Sequence, residues 1–367
     1  MTEPVYLLKA EDMDRKGAFR KLLTELGDGL GVAKGELVAV KLHPGEEGNE
    51  SYVRPEELMA VVEALELPED RTFLTDTTVL YRGRRMTAPD YIRLAEEHGF
   101  GPPDTPPFIV ADGLRGTDEI EVELPDGCIT RSARLGSLLA QADSSLVVSH
   151  FKGHLLSGFG GAVKNLGMGC ASRGGKLYQH SNVKPSVRKD RCIVCGACAE
   201  HCPVDAITIG DAAASLDREV CIGCGECLQR CPTGAIRVSW NQDRSIFARR
   251  MAEYALGAAM LMRPAVYVNF VVRVAAECDC MGDEGGPIVP DQGVLASADP
   301  VALDRACFDL VTAAASLSGS STAKAGPGED KFAAAHGDTR PLDQLEAAEE
   351  VGLGTQAYSL VEIGGAD

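Results

Sequence analysis

CIVCGACAEHCPVDAITI (192–209) and CIGCGECLQRCPTGAIRV (221–238) align without a gap, cysteine on cysteine, Gly196 on Gly225 and Ile207 on Ile236. Each copy reads C-x-x-C-x-x-C-x-x-x-C-P. Three thiolates spaced by two residues can wrap one face of a cubane while the turn aims backbone N–H groups at its sulfides. The fourth cysteine, further along, points away toward a second site. The glycines let backbone pack where a Cβ would clash. A pair of structural zinc sites is the competing reading, since C-x-x-C pairs also bind zinc. Eight cysteines in one repeat, each half closed by proline, favour clusters.

This is the spacing of bacterial ferredoxins. It assigns Cys192, Cys195, Cys198 and Cys231 to one [4Fe–4S] cluster, and Cys221, Cys224, Cys227 and Cys202 to the other. Such a module needs only residues 185–240, so the rest, 1–184 and 241–367, forms a host domain interrupted by it.

Working outward, the host alternates apolar runs with amphipathic stretches. Strands are expected at Val5–Leu8, Leu37–Leu42, Arg71–Thr75, Phe108–Ala111, Ser145–Ser149, within Ala265–Ala275, at Gly293–Ser297 and at Ser359–Ile363. Helices are expected from Pro55 to Leu65, Pro89 to His98, Ser132 to Ala142, Ser245 to Met262, and from Asp299-Pro300 to about Ala315; Pro in a first turn and Gly99 after a last one are the signals. Ser316–Arg340, rich in Ser, Gly, Ala and charge, reads as a mobile loop. The alternation predicts an α/β host around a largely parallel sheet, carrying an inserted α+β ferredoxin-like module.

Composition sets outer limits. A net charge of −18 argues against a nucleic-acid-binding face. The apolar stretch Tyr254–Ala275 is broken by Arg263, Pro264 and Arg273, so it reads as a buried helix and strand, with no membrane partner. Thirteen cysteines and no secretory signal point to metal binding in the reducing cytoplasm.

In open α/β sheets, ligands bind beyond the carboxyl ends of the strands. Lys41 and His43, Asp76, Asp112, and Ser149 with His150 fall there; each taken singly also reads as a cap or turn residue. The richest stretch is Ser149–His180, where His150, Lys152, His154, Lys164 and Asn165 sit among glycines including Gly160, Gly161 and Gly167. Backbone N–H groups and cations in such a segment can cradle an anion, a substrate or a small anionic cofactor; the alternative is a loop that docks the module. On a helix His150 and His154 would share a face and could ligate a metal, although Gly153 opposes a helix. Cys278-Asp279-Cys280 offers a third metal site, a redox relay or buried structural thiols. Cys128, Cys170 and Cys307 read as small core residues.

His43-Pro44-Gly45-Glu46, Tyr52-Val53-Arg54-Pro55, Asp76-Thr77, Ser149–His154, Gly160–Gly169, Cys278-Asp279-Cys280 and Asp299–Ala302 with Asp304 together resemble the domain-of-unknown-function 362 family of iron–sulfur center proteins, from about Val5 to Leu310. The resemblance implies that the ferredoxin pair sits where family members carry it. The Gly-Gly-x-x-Lys stretch is also similar to the N-terminal domain of the lactate racemase family.

Two functional readings follow. In one, electrons from an external donor protein pass through the clusters to an anionic substrate or cofactor in the host. There Lys152, Lys164 and Asn165 orient the anion, His43, His150 or His154 supply protons, Asp76 orients a histidine or binds a cation, and Cys278 with Cys280 relay electrons. In the other, the chain is an electron carrier with no substrate of its own. A ligand-sized cavity lined by the glycine-rich segment and the C-x-C, close to one cluster, separates the first from the second.

Overall fold

Val38–Lys41 and Thr72–Asp76 bury every residue, as strands covered on both faces must. The computed structural model describes residues 2–26, 35–180, 184–238, 243–283, 285–337 and 339–364; the expected module boundary at 240/241 lies outside them. Across the main sheet of eight strands the order is Tyr358–Glu362, Glu3–Lys9, Gly293–Ser297, Val266–Val271, Ser144–His150, Val38–Lys41, Thr72–Asp76 and Phe108–Val110. All neighbours run parallel except at Gly293–Ser297, which is antiparallel to both of its partners. The sheet is therefore mostly parallel.

Side chains alternate between two cores, as the period of a strand requires. Val147, Tyr267 and Leu295 face one core with the helices Ala162–Gly167, Arg244–Met262 and Pro300–Ala313. Leu146, Val148, Val268 and Val294 face the other, with Ala18–Thr24, Pro55–Ala64 and Ala88–Glu97. Asp299 caps the helix Pro300–Ala313, accepting from Val301 N at 2.8 Å and Ala302 N at 3.0 Å. Among the described residues no helix is long and apolar enough to cross a membrane.

Three expectations are corrected. Ser132–Ala142 is no helix: Ser132–Gly136 is a strand pairing antiparallel with Glu119–Glu123, followed by a short 3-10 turn. Ala133 and Leu135 bury one face at period two, and that pattern prevails over helix propensity. Within Ser316–Arg340, Lys331–His336 is a helix capped by Asp330, and Phe332 is buried against Phe151 and Phe159. The glycine-rich stretch is ordered as well, as a hairpin of Lys152–His154 with Gly158–Gly160 and two helices, Ala162–Gly167 and Arg173–His180. Packing against large neighbours fixes these small-residue segments, a signal that local composition does not carry.

Residues 184–238 build a small lobe from two two-stranded ladders and the helices Ala197–Glu200 and Glu226–Arg230. The ladder of Ser186–Val187 with Ile236–Arg237 ties the start of the lobe to its end. At three aligned pairs of the repeat the backbone is left-handed in both copies: Val194 (φ 56°) with Gly223 (70°), Gly196 (79°) with Gly225 (75°), and Asp205 (52°) with Gly234 (64°). The two copies thus fold alike even where glycine is replaced in one of them.

Candidate functional site

The strands Val38–Lys41, Thr72–Asp76 and Ser144–His150 are parallel neighbours, so their carboxyl ends open on one side. A cavity of about 340 Å³ lies there. His43 and Asp76 come from the strand ends, and Lys152, His154, Gly160, Gly161, Lys164 and Asn165 from the hairpin and the helix after it. Cys278 and Cys280 complete the wall. Gly167 does not reach it: a Cβ at Gly167 would meet the Met251 carbonyl, so this glycine serves helix packing. Gly160 does serve the cavity, since an added Cβ would lie 2.9 Å from Lys164 Cδ and 3.5 Å from Lys152 Cε.

Two buried ion pairs hold the floor. Lys41 Nζ lies 3.0 Å from Asp76 Oδ1, and Tyr91 donates to Asp76 Oδ2 at 2.5 Å. Burial would raise the Asp76 pKa, but Lys41 foremost pulls it down to about 2. Asp279 receives His150 Nδ1 at 2.8 Å, Lys152 Nζ at 2.9 Å and the Ser51 hydroxyl at 3.1 Å. Its carboxyl is fully buried, yet His150 and Lys152 hold it well below the usual carboxylate range. His150 Nε2 faces the Val272 carbonyl at 2.8 Å. Asp279 and the Val272 carbonyl occupy both ring nitrogens of His150, so neither faces a substrate or metal, and the pairing of His150 with His154 as ligands is set aside. The two lie on successive strands, not on a helix.

Burial disfavours the charged form of the other histidines of the wall. Burial, then Arg85, drives the His43 pKa well below the usual range; burial, then Lys164, does the same to His154. Burial lowers His180 to about 4. These rings accept protons or ligate metals better than they supply protons at neutral pH, contrary to the expectation from an unperturbed imidazole. Lys164 Nζ lies 3.1 Å from Cys278 Sγ. The bond donated by Cys280 holds the Cys278 thiol low, with Lys164 and Lys152 adding to it against burial, and the same bond pushes Cys280 high. His154, Cys278 and Cys280 place their donor atoms within 4.8 Å of one another and could hold a metal ion.

Arg85 carried no signal in the sequence, and Lys176 stood in the glycine-rich segment without a role assigned to it. Arg85 is buried and paired with Glu46 at 2.9 Å. Lys176 is buried beside Thr77 and the Ala171 carbonyl, and burial lowers its pKa from 10.5 to about 8. Between those two values the folded chain binds fewer protons than the unfolded one, so this lysine makes stability rise with pH. Urea unfolding from pH 7.5 to 10 is expected to show a gain on the order of 3 kcal/mol from this group, absent in Lys176→Met.

The cysteines of the lobe fall into two sets. One small cavity is lined by Cys192, Cys195, Cys198 and Cys231, the other by Cys202, Cys221, Cys224 and Cys227. Backbone N–H groups already point at three of the sulfurs: Ala214 at Cys192 (3.4 Å), Ala206 at Cys202 (3.3 Å) and Ala235 at Cys231 (3.1 Å). The lobe is fastened to the host beside the large cavity. Arg82 donates to the Cys231 carbonyl, Arg173 lies 3.7 Å from Glu226, and Leu80 packs in the lobe's apolar cluster with Cys198, Cys227 and Cys231. Leu80 also lines the large cavity. Cys170 and Cys307 are buried core thiols, while Cys128 is half-buried.

Residues 38–309 match the family described as domain of unknown function (DUF362). The chain belongs to the DUF362 family. Every residue lining the cavity lies inside the matched span; the edge strand Tyr358–Glu362 and its neighbour Glu3–Lys9 lie outside it. No curated protein matches the chain. Among solved structures, the lactate racemase apoprotein from Thermoanaerobacterium thermosaccharolyticum is similar with a TM-score of 0.39 and 14% identity, covering 74% of this chain. The match takes in 51% of that protein, so this chain spans about half its length.

Proposed function

We propose that this DUF362 protein is an iron–sulfur oxidoreductase of the cytoplasm. An external electron-transfer protein docks on the lobe, and electrons reach an anionic substrate or cofactor in the host cavity. The observation that carries this reading is the shared wall: Leu80 belongs at once to the cavity and to the apolar cluster around Cys198, Cys227 and Cys231.

The donor chemistry fits two [4Fe–4S] clusters. Each cysteine set supplies four sulfurs, with the fourth taken from the opposite repeat, and N–H groups at 3.1–3.4 Å are placed to stabilise thiolates. When bound, such clusters supply single-electron transfer. The chain's own residues do the rest. Lys164, whose pKa the two thiols raise in spite of burial, presents a fixed cation to an anion, and Asn165 anchors the floor by accepting from Lys41 at 2.5 Å. Exposed Cys195 and the neighbouring Ile193 offer the partner its approach.

A pure electron carrier would have no use for a cavity of this size beside its clusters. The test follows reoxidation of the anaerobically reduced protein in a stopped-flow spectrometer, with a panel of small carboxylates and carbonyl compounds as acceptors. The enzyme reading expects at least one acceptor to restore the visible absorption, and Lys164→Ala to slow that step about 10-fold or more, the weight of a bond to a charged group. Equal rates in both proteins with every acceptor would favour the carrier.

A further inference from the structure

One imidazole and two thiols meet on the cavity wall, His154 from the hairpin and Cys278 and Cys280 from the loop after Val266–Val271. Neither thiol is in a disulfide. The loop is held from its centre: Asp279, between the two sulfurs, is clamped by His150, Lys152 and Ser51, and its carbonyl accepts from Glu46 N at 3.0 Å. The sulfurs are therefore positioned by a buried polar cluster, not left to a flexible turn.

The surroundings suit thiolates and a ligating ring. Cys278 Sγ receives the Cys280 N–H at 3.4 Å and Lys164 Nζ at 3.1 Å. His154 Nδ1 lies 2.8 Å from the Ser157 hydroxyl, which gives its own hydrogen to the Phe159 carbonyl at 2.7 Å. Without a metal, Ser157 N–H donates to His154 Nδ1 at 3.1 Å. Binding through Nε2 would move the ring proton to Nδ1, where the Ser157 hydroxyl is placed to accept it. A second partner on the distal nitrogen is the usual support of a metal-bound histidine.

We propose that His154, Cys278 and Cys280 bind one zinc ion whose fourth position opens into the cavity, where it takes a carbonyl or carboxylate oxygen of the substrate. Thiolate and imidazole donors select zinc over magnesium or calcium, and three protein ligands with an open fourth position form the pattern of a catalytic site. Zinc there polarises the bound oxygen as a Lewis acid. This goes beyond the electron-transfer reading and does not require the clusters.

The test uses the full chain, purified anaerobically, given one equivalent of zinc and desalted. Zinc, iron and sulfide are counted, and the zinc X-ray absorption edge is recorded. About one zinc per chain is expected, with two sulfurs near 2.3 Å and a nitrogen near 2.0 Å. Zinc should be lost in Cys278→Ser, Cys280→Ser and His154→Gln with iron and sulfide unchanged, and kept in Cys128→Ser. The wild-type spectrum decides even if a variant misfolds. No retained zinc, a Cys278–Cys280 disulfide in place of the metal, or zinc that survives in the variants would overturn the site. Zinc bound by four sulfurs with iron absent would overturn it too, and would separately sink the cluster reading.

Discussion

Asp279→Ala is expected to destabilise the folded chain by about 3–5 kcal/mol, the scale of removing one partner from a buried ion pair. Asp279 is fully buried, and its removal leaves Lys152 at 6% exposure with no carboxylate to face. Among the described residues, the His150 carbonyl at 2.9 Å would remain as its acceptor. The loop that carries Cys278 and Cys280 would lose its central anchor at the same time. Urea unfolding followed by circular dichroism measures the loss. Lys152→Met in the Asp279→Ala background should recover part of it, because the uncompensated cation is gone; no recovery would mean that the carboxylate stabilises the loop by some route other than this pair.

Cys202→Ser and Cys231→Ser are expected to have crossed effects. Cys202 shares its cavity with the cysteines of the second repeat, and Cys231 with those of the first. Each substitution should therefore damage the cluster of the opposite repeat, taking iron from about eight per chain toward about four. EPR of the reduced variants should keep one of two signals, a different one in each. Cys202→Ser should lose the same signal as Cys224→Ser, and Cys231→Ser the same signal as Cys195→Ser; Cys202→Ser losing instead the signal that Cys195→Ser loses would mean that ligands are not exchanged between the repeats.

The internal repeat was legible in the sequence, and its two copies share the same left-handed backbone positions. The parallel strands were legible too: apolar runs such as Val38–Val40 and Leu146–Val148 are buried on both faces and end in polar residues that meet at one cavity. What local sequence could not show was which polar residues are sealed and which are open. His150 and His154, four apart, look equivalent in the sequence, yet one is locked between Asp279 and Val272 while the other faces the two thiols. Arg85 and Lys176 are buried, which no local pattern around them shows. The Ser132–Gly136 strand and the ordered glycine-rich helices depend in the same way on long-range contacts.

Iron and acid-labile sulfide, counted on anaerobically purified protein with EPR after reduction, test the central claim most directly. The account predicts about eight of each per chain and S = 1/2 signals from two interacting clusters. Zinc in place of iron, with no signal on reduction, would contradict it.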